Sequence, residues 1–238
     1  MTERQVSRMP RYRTVLFDAD QTLLDFKRSE PAALCEALAA MGVAADAAML
    51  KKYSEINSAT WKRLERGEIT KTELRTVRFA DFCDHYNFSL DVEQLAERYL
   101  TSLATKSFLM DGALEICRAL AKHCRLYIIT NGIASVQHGR LDQSPIRPYF
   151  HELFISDELG VEKPDKAFFE KVAARIPDFD PADTLVVGDS LSSDIGGGIG
   201  AGLDTCWLNQ NGLEAPCDMK ITYTVTRLED VVPLILGA

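Results

Sequence analysis

No apolar run of about 18 residues occurs in this chain, so the sequence offers no membrane-spanning helix. The charged, apolar, small order of a secretory leader is missing at the N-terminus, where Met1 to Arg11 reads as a polar, loose tail carrying Arg4, Arg8 and Arg11. The cysteines (Cys35, Cys83, Cys117, Cys124, Cys206 and Cys217) form no CxxC pair and mostly sit in apolar runs. That excludes a zinc or disulfide framework and points to free thiols in a reducing cytoplasm. Positive charge is also short. A net charge of −8 argues against a nucleic-acid polymer as partner, although a small anion remains acceptable wherever a cation reverses the local field. No internal repeat occurs, nor any low-complexity tract beyond the glycine-rich Ile195–Gly202. What remains is an ordinary globular composition, 46% hydrophobic and 26% charged over 238 residues, long enough for a sizeable core with a large insert.

The first strand also lacks something. The apolar run Tyr12-Arg13-Thr14-Val15-Leu16-Phe17 does not end in a turn of Gly, Asn or Pro, as strands commonly do. It ends in Asp18-Ala19-Asp20-Gln21-Thr22. Residues i and i+2 of an extended segment point the same way, so both carboxylates crowd one space. Such a pair persists only with a cation between the acids or a proton kept on one of them. Either solution belongs to an active site.

Two later segments supply partners. Leu126-Tyr127-Ile128-Ile129 reads as a buried strand ending in Thr130-Asn131-Gly132, a hydroxyl beside backbone amides. Thr184-Leu185-Val186-Val187 ends in Gly188-Asp189-Ser190, with Asp194 shortly beyond. Between them, Glu162-Lys163-Pro164-Asp165 places a lysine before a proline suited to the first turn of a helix. Loops at the carboxyl ends of an open parallel sheet gather on one edge, where ligands bind. Asp18, Asp20, Thr130, Lys163 and Asp189 are therefore expected to meet.

From Asp111 onward helices and strands alternate: helix to Lys122, strand to Ile129, helix 133–142, strand 152–155, helix 164–175, strand 184–187, helix 192–201, strand 204–208, strand 221–225 and helix 227–236. This pattern predicts an α/β fold, a Rossmann-like parallel sheet with helices on both faces. Residues 29–104 instead read as four helices. The first runs from Pro31 to Met41 and the second from Asp46 to Arg66; the third opens at the capping box Thr70–Glu73, and the fourth is capped by Asp91. The expected organisation is a core of 1–26 with 106–238 and an inserted all-helical domain at 27–105. Asn57 and Arg78 interrupt apolar helix faces there, so each is either satisfied inside the bundle or aimed at something bound. Gly196, Gly198 and Ala201 satisfy a relaxed dinucleotide fingerprint, but the strand ends at Val187, before the first glycine. Close packing of a helix on the sheet is the better account.

The four motifs in this order resemble the haloacid dehalogenase-like superfamily of aspartate-dependent phosphohydrolases, and the resemblance runs from about residue 12 to 208. One departure is Gln21, where many members carry Gly. The resemblance implies the HAD-like core, with the helical insert as its cap domain. It also implies a phosphatase that splits phosphate-ester hydrolysis through a covalent aspartyl-phosphate. Asp18 is then the nucleophile and Asp20 the general acid and base. Mg²⁺ is held by Asp18, Asp189 and the Asp20 carbonyl. Thr130 and the amides of Asn131 and Gly132 hold the transferring oxygens, Lys163 balances charge, and Asp194 orients Lys163 or metal-bound water. Asn57 and Arg78 are candidate substrate contacts.

The phrases Phe17 to Phe26, Ile129 to Gly132, Gly160 to Asp165 and Gly202 to Asn209, with Asn57, Trp61 and Arg66-Gly67, are similar to the bacterial pyrimidine 5'-nucleotidases. These act on UMP, dUMP and dTMP, so a nucleoside monophosphate is the implied substrate. Alternatives are a phosphoglycolate or sugar-phosphate phosphatase, a phosphomutase, and a non-catalytic binding protein. Haloacid dehalogenases need neither the second acid nor a metal, so Asp20 and Asp189 count against that activity.

Overall fold

In the computed structural model the described residues are 10–237, so the loose tail expected for Met1 to Arg11 lies outside them as far as residue 9. The chain divides into two units: one runs to Asp25 and resumes at Phe108, and the other is Phe26–Ser107.

The first unit opens with β1 (Thr14–Asp18), every residue of which is buried. Four helices of the second unit follow: α1 (Phe26–Ala39), α2 (Ala47–Glu65), α3 (Lys71–Tyr86) and α4 (Val92–Leu103). The first unit then resumes with α5 (Ala113–Leu120), β2 (Arg125–Thr130), α6 (Ala134–Asp142), β3 (Phe150–Ile155), a single turn α7 (Ser156–Leu159) and α8 (Lys166–Arg175). It closes with β4 (Thr184–Gly188), α9 (Gly196–Gly200), β5 (Asp204–Leu208), β6 (Tyr223–Val225) and α10 (Val231–Leu236).

The strands form one parallel sheet in the order β3-β2-β1-β4-β5-β6. Alternation along each strand builds two cores. Val15, Phe17, Ile128, Val187 and Cys206 face Ile116 and Leu120 of α5 and Ile235 of α10. Leu16, Tyr127, Ile129 and Val186 face Phe168, Phe169 and Val172 of α8. Both faces of the sheet are thus covered by helices, as the alternation predicts. Each fully buried Leu, Phe or Val contributes roughly 1.5–3 kcal/mol, which is ample to hold the strand ends in place.

The register decides what meets what. β1 lies between β2 and β4, with Phe17 opposite Ile128 and Val187, and Asp18 opposite Ile129. Asp18, Thr130 and Asp189 therefore emerge from three adjacent strands at the same edge.

The helical unit is organised around aromatic side chains. Tyr53 lies 5.3 Å from Phe79 and 5.4 Å from Tyr99 between ring centroids, and Phe79 lies 5.2 Å from Tyr99. The capping box at Thr70 and Glu73 forms, and Asp46 and Asp91 cap α2 and α4. Three local differences from expectation stand out. α1 starts at Phe26, so Pro31 lies inside the helix instead of opening it and cannot donate the i→i−4 backbone bond to the Lys27 carbonyl. α8 starts at Lys166 on the Asp165 cap, leaving Pro164 outside the helix. Residues 191–195 form a π-turn, not the start of an α-helix, with the Ile195 amide donating to the Ser190 carbonyl at 3.1 Å.

Candidate active site

At the carboxyl edge of the sheet the Lys163 ammonium, 2% exposed, donates to Asp18 Oδ1 at 2.7 Å, to Asp194 Oδ1 at 2.6 Å and to the Ile129 carbonyl at 2.9 Å. Its own backbone is gripped by one side chain. Asn131 accepts from the Lys163 amide at 2.9 Å and donates to the Lys163 carbonyl at 2.8 Å. The loop after α7 is thereby pinned to the tip of β2, which brings the lysine to the acids.

Asp194 is fixed from both sides, since its Oδ2 also accepts from the Ser190 amide at 3.1 Å. The π-turn delivers it there. A β-carbon on Gly188 would stand 2.3 Å from Asp194 Oδ2, so the strand end needs glycine for that approach. Gly198 has the same role on α9, where a β-carbon would meet Thr205 at 2.7 Å. The glycine run thus serves close packing of helix on sheet.

Asp18, Asp189 and Asp194 each bring a carboxylate oxygen within 4.8 Å of the others. Burial pushes the Asp18 carboxyl well above the usual carboxylate range; the Asp194 charge adds to this and Lys163 opposes it. Burial, then Asp194, raise Asp189 to about 7. Burial alone would lower Lys163, but the charges of Asp18 and Asp194 outweigh it and raise it above an ordinary lysine. Three acids thus share one ammonium, and each can ionise fully only if further positive charge is supplied. This is a set of hard oxygen donors short of positive charge, the donor chemistry that suits a small divalent cation.

Residues 12–202 match the haloacid dehalogenase-like hydrolases, a span that contains every one of these groups. The chain belongs to this family. It is 41% identical to the pyrimidine 5'-nucleotidase PynA of Streptococcus pneumoniae over 222 residues, 93% of this chain and 94% of that one. It is 33% identical to the pyrimidine 5'-nucleotidase YjjG of Escherichia coli over 221 residues, 93% of this chain and 96% of that one. A crystal structure of the HAD-hydrolase YfnB of Bacillus subtilis bound to magnesium matches with a TM-score of 0.90 at 37% identity, covering 96% of this chain and all of that one.

Within this haloacid dehalogenase-like core, Asp18, Asp20, Thr130, Asn131, Gly132, Lys163, Asp189 and Asp194 all lie at or beside the three strand ends. Thr130 Oγ1 accepts from the Gly132 amide at 3.1 Å. Gln21 adopts φ 62, the left-handed conformation in which glycine is at ease. Asn57 and Arg78 lie in the helical unit, both 2% exposed. Asn57 donates to Glu30 Oε1 at 2.6 Å and accepts from Arg78 Nη1 at 2.8 Å, so its amide is satisfied inside the bundle. Arg78 Nε and Nη2 make no hydrogen bond among the described residues. The guanidinium carbon lies 5.1 Å from the Phe79 ring centroid and 5.3 Å from that of Tyr99.

Sequence reasoning missed Gln137 and Arg140 of α6, each 1% exposed. Both hydrogen-bond Asp20, at 2.9 and 2.5 Å. The available signal was a polar pair on the apolar face formed by Ile133, Val136 and Leu141. Trp207 was missed as well; its Nε1 donates to the Asp189 carbonyl at 2.9 Å.

Proposed function

We propose that this protein is a Mg²⁺-dependent phosphatase acting on a pyrimidine nucleoside 5'-monophosphate through an aspartyl-phosphate. The observation that carries the reading is the Lys163 ammonium bridging Asp18 and Asp194, with Asp189 beside them and a second acid, Asp20, at the same strand end. In this reading Asp18 is the nucleophile and Asp20 the proton carrier, two carboxylates at one strand end. The nucleotide itself rests on the relatives: two enzymes named pyrimidine 5'-nucleotidases match nearly the whole chain at 33% and 41% identity.

In this mechanism a carboxylate oxygen of Asp18 attacks phosphorus, and the ester P–O bond breaks. The leaving alkoxide takes the proton of Asp20. Asp20, now the base, removes a proton from the water that attacks the aspartyl-phosphate, and inorganic phosphate departs from Asp18. Thr130 and the amides of Asn131 and Gly132 hold the equatorial oxygens of the phosphoryl group, and Lys163 keeps the Asp18 carboxyl aligned and balances its charge. Asp18 and Asp189, with the Asp20 carbonyl, would hold Mg²⁺, which when bound neutralises phosphate charge so that one anion can approach another.

Phosphate release is the test, measured with Mg²⁺ and with EDTA across nucleoside monophosphates, sugar phosphates and phosphoglycolate. The expected result is metal-dependent turnover peaking on UMP, dUMP or dTMP. A peak on a sugar phosphate or phosphoglycolate keeps the mechanism and removes the nucleotide, whereas undiminished turnover in EDTA removes the metal.

A further inference from the structure

Arg140 is a guanidinium placed almost wholly out of water. Removing that charge from water is expensive, and a helix face of Val and Leu needs no cation to pack. Something must favour arginine there. Its Nη1 donates to Asp20 Oδ1 at 2.5 Å and to Gln137 Oε1 at 3.2 Å. Gln137 in turn donates through Nε2 to Asp20 Oδ2 at 2.9 Å and to Thr130 Oγ1 at 2.7 Å. Each oxygen of Asp20 thus has its own donor, and both donors stand on α6.

The contrast in exposure sharpens the point. The Asp20 side chain is 31% exposed while that of Arg140 is 1% exposed. A half-exposed aspartate is ordinarily free to choose among rotamers. Two fixed donors on a buried helix face take that choice away. They also tie Asp20 to Thr130 through one glutamine, so the two groups share a rigid support.

We propose that Arg140, with Gln137, is a positioning residue: the two hold Asp20 where it can reach the leaving-group oxygen while Thr130 holds the phosphoryl group. This deepens the phosphatase reading above and rests on Asp20 being its acid and base. In the first step the Asp20 O–H bond breaks, the ester P–O bond breaks, and the departing oxygen keeps the proton. The rate of that step depends on the placement of the carboxyl, as general acid catalysis does.

Leaving-group dependence isolates this role. Ribose 5-phosphate and UMP release an alkoxide that needs a proton, whereas p-nitrophenyl phosphate releases a phenolate that does not. The variants are Asp20→Asn, Arg140→Met, Gln137→Leu and the pair Asp20→Asn with Arg140→Met, each first checked for folding by circular dichroism. The readout is kcat/KM, which reports the steps up to phosphoryl transfer. Arg140→Met is expected to lose about 10–100-fold more on the alkyl esters than on p-nitrophenyl phosphate, with Gln137→Leu biased the same way to a smaller degree. Added to Asp20→Asn, the Arg140 substitution should cost almost nothing further. Equal losses on both kinds of ester with Arg140→Met, while Asp20→Asn remains biased, overturn the positioning role and leave the acid in place. Multiplicative losses in the double variant do the same. An unbiased Asp20→Asn overturns the acid reading and the proposal with it. If Arg140→Met does not fold, Gln137→Leu decides by the same ratio.

Discussion

The Lys163 ammonium stands 2.7 Å from Asp18 Oδ1 in a site where both side chains are almost completely buried. The pair is not balanced, because Asp194 competes for the same ammonium at 2.6 Å and Asp189 adds a further acid. Asp18 can therefore carry its charge only at the expense of stability. Asp18→Asn removes one negative charge with almost no change of volume. Turnover should fall at least about 10³-fold, since the attacking oxygen is gone. The metal-free thermal midpoint should hold or rise, since burial and Asp194 raise the Asp18 pKa and so disfavour its charged form at neutral pH. Appreciable residual turnover in a clean preparation would sink the covalent mechanism; a large drop in midpoint would sink the electrostatic account.

Asp189 carries a pH signature. Burial and then Asp194 raise it from an ordinary value of 3.8 to about 7, so the folded protein binds that proton more tightly than the unfolded chain. The sign follows from linkage: this group's contribution is fully present below about pH 4 and is lost as pH rises through about 7. A divalent cation works against the same proton. Mg²⁺ should thus add little to the thermal midpoint at about pH 5.5 and more at about pH 8, with apparent affinity rising over that interval. Equal Mg²⁺ stabilisation at both values would contradict it.

Trp207 provides a separate handle on the same loop. Its Nε1 donates to the Asp189 carbonyl, and the ring is buried beneath it. Trp207→Phe keeps most of the ring and deletes the donor, leaving that carbonyl without this partner at a cost of about 1 kcal/mol. The half-maximal Mg²⁺ concentration for activity should rise about tenfold or more, while kcat at saturating metal changes little. A Mg²⁺ titration that superposes on the parent's would show that Trp207 merely fills space.

What the sequence revealed depended on where each residue stood. Asp18, Thr130 and Asp189 close apolar runs, and a parallel sheet carries strand ends to one edge whatever the distance along the chain. That made the acids, the hydroxyl and the lysine legible before any coordinate was known. Gln137 and Arg140 were not, although they break an apolar helix face just as Asn57 and Arg78 do. Periodicity identifies the interruption but not the partner. In α6 the partners are Asp20 and Thr130 at the strand ends; in α2 and α3 they lie within the bundle. The π-turn at 191–195 escaped for a related reason. It is shaped by a long-range demand on Asp194 from Lys163, which local propensity does not contain.

The buried chain Glu30–Asn57–Arg78 yields the last prediction. Asn57 bridges an acid and a base that are each almost without solvent. Replacing it with alanine takes a hydrogen-bond partner from each, and a buried polar group that loses its partner costs about 1–3 kcal/mol, more when charged. Asn57→Ala should therefore lower the urea midpoint markedly. If instead the midpoint is unchanged while relative kcat/KM across the phosphate-ester panel shifts, the residue serves substrate choice and not the bundle. Glu30 adds a sign that can be checked. Burial raises its pKa above 4.5, against the opposing hydrogen bonds from Ser54 and Asn57 and the charge of Arg78. Its contribution is fully present below about pH 4.5 and is lost as pH rises through the folded value. Glu30→Gln mimics the protonated acid and retains an oxygen for Asn57. It should be more stable than the parent at about pH 7, and the gap should close as pH falls toward 4.5. A variant less stable at neutral pH would mean that attraction to Arg78 outweighs the burial of the charge.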